Sequence, residues 1–144
     1  MDVEVAFTCK SSASSIEYIM DVCHTTFERF KLQRVHILKF LIHEALINTV
    51  EAISKKYNSK QINQYFTFQL KLSQDIEIRV IDSVGGLSQA YLDQLNPKQL
   101  ENILWQESGR GLLLIKEKTD KMWYKELGNE TYEFGFKIMG VGNR

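Results

Sequence analysis

Apolar and polar residues alternate along positions 2 to 9, with Val3, Val5, Phe7 and Cys9 on one side of an extended chain, so the first expected element is a strand. The period then lengthens. Ser14 followed by Glu17 has the spacing of a capping box, and Ile16, Ile19, Met20, Cys23, Phe27 and Phe30 recur every three or four residues, which predicts a helix. A second helix is expected over about residues 33 to 56. Leu38, Leu41, Ile42, Ala45, Leu46, Ala52 and Ile53 cover one broad face of it, and Ile47 and Val50 extend that face, so most of its circumference is expected to be buried. What remains is a narrow polar stripe of Glu44, Asn48, Glu51 and Lys55, at i, i+4, i+7 and i+11. Such a stripe is either a solvated face with i,i+4 support or the wall of a cleft, and periodicity alone favours neither.

Period-two alternation returns in residues 62 to 72, where Phe66, Phe68, Leu70 and Leu72 share a face, and in residues 75 to 82, where Ile76, Ile78 and Val80 do. Asp82 keeps the parity of that apolar row. A carboxylate at the end of a core-facing row needs a partner; it either serves a ligand or caps the turn at Gly85 and Gly86. Residues 87 to 108 show no strand pattern. Asn96-Pro97 signals a helix start there, and the stretch reads as a long, lid-like loop with one or two short helices. Ser108-Gly109-Arg110-Gly111 then leads into the apolar run Leu112 to Ile115, a short helix, and strands are expected near 121 to 127 and 131 to 138 around a turn at Gly128-Asn129. The order β-α-α-β-β-loop-α-β-β predicts an α+β fold: a two-layer sandwich with a mainly antiparallel mixed sheet covered by helices on one face.

Composition narrows the function classes. A single domain over 1 to 144, with 44% hydrophobic and 25% charged residues, is globular rather than disordered. The formal net charge of zero gives no global attraction to nucleic acid or to an anionic membrane, so neither partner is expected. Cys9 and Cys23 are too few and too irregular for a disulfide framework or a zinc site, and His24, His36 and His43 have no metal spacing. With no charged-then-apolar leader and no apolar run near the roughly 18 residues of a span, a cytoplasmic location is expected. Trp105 and Trp123 are expected to pack in the core or at an interface.

Three pieces carry candidate chemistry: Glu44 and Asn48 one helical turn apart, Asp82-Ser83-Val84-Gly85-Gly86 at a strand end, and Gly109-Arg110-Gly111 opening a helix. A carboxamide oxygen is a suitable hard ligand for Mg²⁺, and a carboxylate one turn away can orient or deprotonate a hydroxyl. A cleft-facing carboxylate can accept from an exocyclic amine, and glycines before a helix let backbone N–H groups approach phosphate. In this order the pieces resemble the N box and the two glycine boxes of the ATP-binding superfamily that includes DNA gyrase, histidine kinases, a heat-shock chaperone and a mismatch-repair protein. The small size, the leading strand and helix, and the phrase Gly109 to Ile115 with Thr119-Asp120 are most similar to the anti-sigma-factor serine kinases.

The resemblance implies ATP and Mg²⁺ as cofactors, Glu44 as catalytic base and Asn48 as the Mg²⁺ ligand. It further implies that Asp82 contacts adenine, that Gly86, Gly109, Arg110 and Gly111 border the nucleotide, and that Thr131 lies near the base. Its partners would be a sigma factor and a small antagonist protein phosphorylated on serine, and it implies a homodimer. Two positions depart from the family pattern: Val84 stands where glycine is usual, and Ala52 where the anti-sigma kinases often have histidine. The alternatives are a protein-binding module of the same fold that does not turn over nucleotide, which Val84 motivates, and a histidine-kinase catalytic module.

Overall fold

The computed structural model describes residues 2–57, 64–85 and 110–142. Strand β1 (Val3–Lys10) is followed by α1 (Ala13–Arg29), α2 (Val35–Lys56), β2 (Tyr65–Leu72) and β3 (Ile76–Asp82). Helix α3 (Arg110–Lys118) and the hairpin of β4 (Lys121–Gly128) and β5 (Thr131–Ile138) complete the described chain. The expected lid-like loop 87–108 lies outside the described residues, as do Gly86, Gly109 and Trp105.

The five strands form one sheet in the order β1-β2-β3-β5-β4, and every neighbouring pair is antiparallel. The α+β class is as expected, but the sheet is antiparallel throughout rather than mixed. The reason lies in the crossover from β3 to β4 by way of α3. β4 runs parallel to β3 but is placed one position beyond it, and β5 folds back between the two, so no parallel pair forms.

One face of the sheet carries Phe66, Phe68, Leu70, Leu72, Ile76, Ile78, Val80, Phe134, Phe136 and Ile138, all buried under the helices. Helix α2 crosses the middle against β3, α1 lies beside it toward β1, and α3 lies on its other side toward β4. Leu38, Leu41, Ile42, Ala45, Leu46 and Ile53 of α2 are buried, as the wide apolar face required. Helix α1 buries Ile16, Ile19, Cys23 and Phe27. Cys23 is a core thiol whose burial pushes its pKa up to about 12.

The start of α1 differs from expectation. Ser12, not Ser14, is the N-cap, and its hydroxyl accepts from Ser15 N at 3.2 Å, so the helix opens two residues earlier. Four serines in residues 11 to 15 offer competing caps, and the spacing Ser14–Glu17 selected the wrong one. Between α1 and α2, Lys31 and Arg34 take positive φ. That tight connection is tied to the segment after β5, where Gln33 N donates to Val141 O at 3.0 Å and Arg34 Nη2 to Met139 O at 3.0 Å. On the opposite, polar face of the sheet, the indole of Trp123 lies over Gly135 and donates to Glu133 Oε2 at 2.9 Å, which accounts for a carboxylate buried on the solvent side. Trp123 is therefore a packing residue, as expected. No helix among the described residues is long and apolar enough to cross a membrane.

Candidate functional site

The polar stripe of α2 divides in two. Glu51 and Lys55 are exposed, whereas Glu44 and Asn48 are half-buried and turn toward the end of the sheet where β3 finishes. Asn48, Thr49 and Ala52 form the helical wall of a cleft there. Asp82 supplies its floor from the last position of β3, and Tyr124, Tyr132 and Phe134 supply the far wall from the hairpin. The register explains the grouping, because Asp82 is paired with Tyr132, and Tyr124 with Phe134, so all four project toward α2.

One turn further toward the start of α2, the Glu44 carboxylate lies against Gly111 in the first turn of α3. A Cβ at position 111 would overlap Glu44 Oε2, so this approach admits glycine alone without a shift. A helix N-terminus carries partial positive charge from its unpaired N–H groups, and a carboxylate is favourable there. The three sequence pieces thus meet along one helix: Asn48 beside Asp82, and Glu44 beside Gly111, spaced by four residues. Arg110 opens α3 next to them, but its side chain, like Gly86 and Gly109, is outside the described set.

Of the two roles expected of it as alternatives, Asp82 fills the turn cap: Oδ1 accepts from Val84 N and Gly85 N at 2.8 Å each. The residue also lines the cleft. The left-handed residue of the turn is Gly85, at φ 62°, and not Val84. Val84 instead packs, partly buried, against the core. A β-branched residue is tolerated at position 84 because the positive φ of this turn falls on Gly85.

The cleft is narrow. Its interior volume is about 20 Å³, room for roughly one water, and the rings of Tyr124 and Tyr132 in its wall stack at 6.1 Å. Beside Gly85, a Cβ would lie 2.5 Å from Tyr124 Oη and 2.9 Å from Tyr132 Cγ. Burial, and then the neighbouring Asp82 carboxylate, Tyr132 and Glu126, push the Tyr124 phenol up to about 12, so it is a neutral donor at physiological pH. Thr49, at the helical wall, donates to Ala45 O at 3.0 Å.

Thr131 does not join this group. It begins β5 with the opposite parity to Tyr132, and its hydroxyl donates to Asn129 O at 3.4 Å. The residues that sequence reasoning missed are the two tyrosines. Parity alone puts Tyr132 on the face of Phe134 and Phe136, but Tyr124 joins that face only through the register shift between Glu126 and Gly128, which the sequence does not signal. Aromatic residues on a core-facing row are ordinarily core, and only the register with Asp82 shows that these two end at a cleft. The histidines stay ordinary. His24 contacts Lys39 at 3.0 Å and Glu28 at 3.2 Å, and no metal-holding cluster of His, Cys, Asp or Glu occurs among the described residues.

No family model and no curated protein matches the sequence at a significant level. The fold, however, is shared with a chain in the crystal structure of the SiaB–SiaC complex from Pseudomonas aeruginosa. The two superpose with a TM-score of 0.59 over 93% of this chain and 88% of that one, at 14% sequence identity. At that identity the likeness is one of fold.

Proposed function

We propose that this cleft is a Mg–ATP site and that the chain is a regulatory protein kinase acting on a serine of a bound partner protein, in the manner of the anti-sigma-factor kinases. The observation that carries the reading is the meeting of three distant sequence pieces on one face of α2, with Glu44 against Gly111 and Asn48 beside Asp82. The donor set fits the cofactor. Asn48 offers a neutral oxygen to Mg²⁺, Asp82 Oδ2 an acceptor to the adenine amine, and the Gly111 turn a place for backbone N–H groups at phosphate. When bound, Mg–ATP supplies the transferable phosphoryl group and neutralises its charge.

The protein's own part is positional. Asp82 holds the turn with one oxygen and presents the other, while α2 keeps Asn48 and Glu44 one turn apart. Glu44 accepts the proton of the incoming hydroxyl. The structural neighbour, solved in a two-protein complex, supports a protein partner for this chain; a sigma factor and a small antagonist are the pair the reading names. The same reading carries a homodimer.

A second reading has its own observation. The cleft, walled in part by Tyr124 and Tyr132, has only about 20 Å³ of interior, less than a purine needs. If the walls stay as they are, the fold is a protein-binding module without nucleotide. The expected outcome separating chemistry from binding concerns Glu44→Gln. It should retain ATP affinity while phosphate transfer to protein falls by about 10²- to 10⁴-fold, the usual contribution of a positioned general base. Equal transfer by wild type and Glu44→Gln would sink the assignment of the base.

A further inference from the structure

A second hollow lies beside Glu44, on the outer side of the α2–α3 seam. Ile37, Phe40 and Leu41 of α2 and Leu114 of α3 line it, its exposed surface is apolar, and it encloses about 200 Å³. A volume of roughly 150 Å³ is enough for a benzene ring. Ile37 and Phe40 are 39% and 47% exposed, unusual for large apolar side chains on a helix whose other face is fully buried. His36 and Lys118 flank the hollow, and neither has an acidic partner among the described residues. An apolar floor flanked by a lysine and a histidine is complementary to an apolar side chain next to a carboxylate.

The position of the hollow says what it would hold. Phe40 is four residues before Glu44 and Ile37 seven, on the same side of α2. Leu114 is three residues after Gly111, the residue that Glu44 touches. Along both helices the hollow is therefore one to two turns, about 6 to 10 Å, from the carboxylate. Two or three residues of extended chain span about the same distance.

We propose that this hollow is the docking site for the phosphoacceptor segment of the partner protein. It takes a leucine- or phenylalanine-sized anchor two or three residues from the acceptor serine, with an acidic residue beside the anchor paired to His36 or Lys118. The inference rests on the kinase reading above and deepens it: the hollow names the kind of segment that brings a hydroxyl to Glu44.

The test uses the full chain, Mg–ATP and a set of synthetic serine peptides. In these a leucine is moved through positions one to five residues from the serine, with flanking aspartates or lysines. Phosphate transfer is expected to peak with leucine at two or three residues and with aspartate flanks. It should exceed the alanine-substituted peptide by about tenfold or more, the scale of burying one large apolar side chain. Phe40→Ser, on the exposed surface, should raise KM for the leucine peptide by a similar factor while ATP affinity is unchanged. Lys118→Glu should reverse the preference from aspartate to lysine flanks. If wild type binds ATP but transfers phosphate without regard to the leucine, or if Phe40→Ser leaves KM unchanged, the docking assignment falls and the kinase reading stands. If Phe40→Ser abolishes self-association in sedimentation and leaves peptide KM alone, the hollow is a contact between copies of this chain instead. Absence of ATP binding by the wild type removes the reading beneath the proposal, and the proposal with it.

Discussion

Gly111→Ala is expected to lower activity while leaving stability close to that of wild type. Alanine is the better helix residue by about 1 kcal/mol, and the atom its methyl group overlaps, Glu44 Oε2, is the far end of a flexible, half-buried side chain that swings aside at little cost. In the kinase reading that movement displaces the proposed base, and a displacement of about 1 Å costs roughly 10²-fold in rate, so ATP-dependent turnover should fall by about that factor. Urea denaturation should place Gly111→Ala within about 1 kcal/mol of wild type. A Gly111→Ala protein as active as wild type would show that the approach of Glu44 to α3 has no bearing on the site.

The other large effect is on the fold itself. Phe136 is fully buried in the middle of β5, between β3 and β4, in the core that the sheet shares with the helices. Phe136→Ala removes a phenyl group from a close-packed core and should cost about 3–5 kcal/mol, a large share of a typical domain's stability of about 5–15 kcal/mol. The urea midpoint should drop accordingly with little change in slope. A loss under 1 kcal/mol would mean that β5 does not occupy the interior position between β3 and β4.

That interior position was not legible in the sequence. Alternation located each described strand to within a few residues, and the wide apolar face of α2 announced its burial, because both follow from side-chain period alone. Strand order does not. That β5 rather than β4 neighbours β3 depends on a crossover whose preceding residues carry no strand pattern, and with it went the expectation of a mixed sheet. The site divides in the same way. Glu44 and Asn48 stood out as a polar stripe on an otherwise apolar helix and Asp82 as a carboxylate ending an apolar row, and the structure places Asn48 beside Asp82 and Glu44 against Gly111. Tyr124 and Tyr132 were not singled out, because neither parity relative to Asp82 nor the end of the cleft is visible until β3, β5 and β4 are in register; Thr131 was expected near the base from the resemblance alone. The cap of α1 was misplaced for a smaller reason: several adjacent serines satisfy the same local rule.

The central claim is that the cleft between α2 and the ends of β3 and β5 takes Mg–ATP. Titration calorimetry of the whole chain with ATP in the presence of Mg²⁺ tests it most directly, run alongside Asp82→Asn, in which a carboxamide can present its NH₂ where an acceptor is needed. The expected result is saturable binding by wild type, weakened at least about tenfold in Asp82→Asn, the scale of losing one hydrogen bond to a charged group. No binding by wild type would contradict the account and make the protein-binding module the better reading, with restored binding in Val84→Gly tracing the loss to the valine.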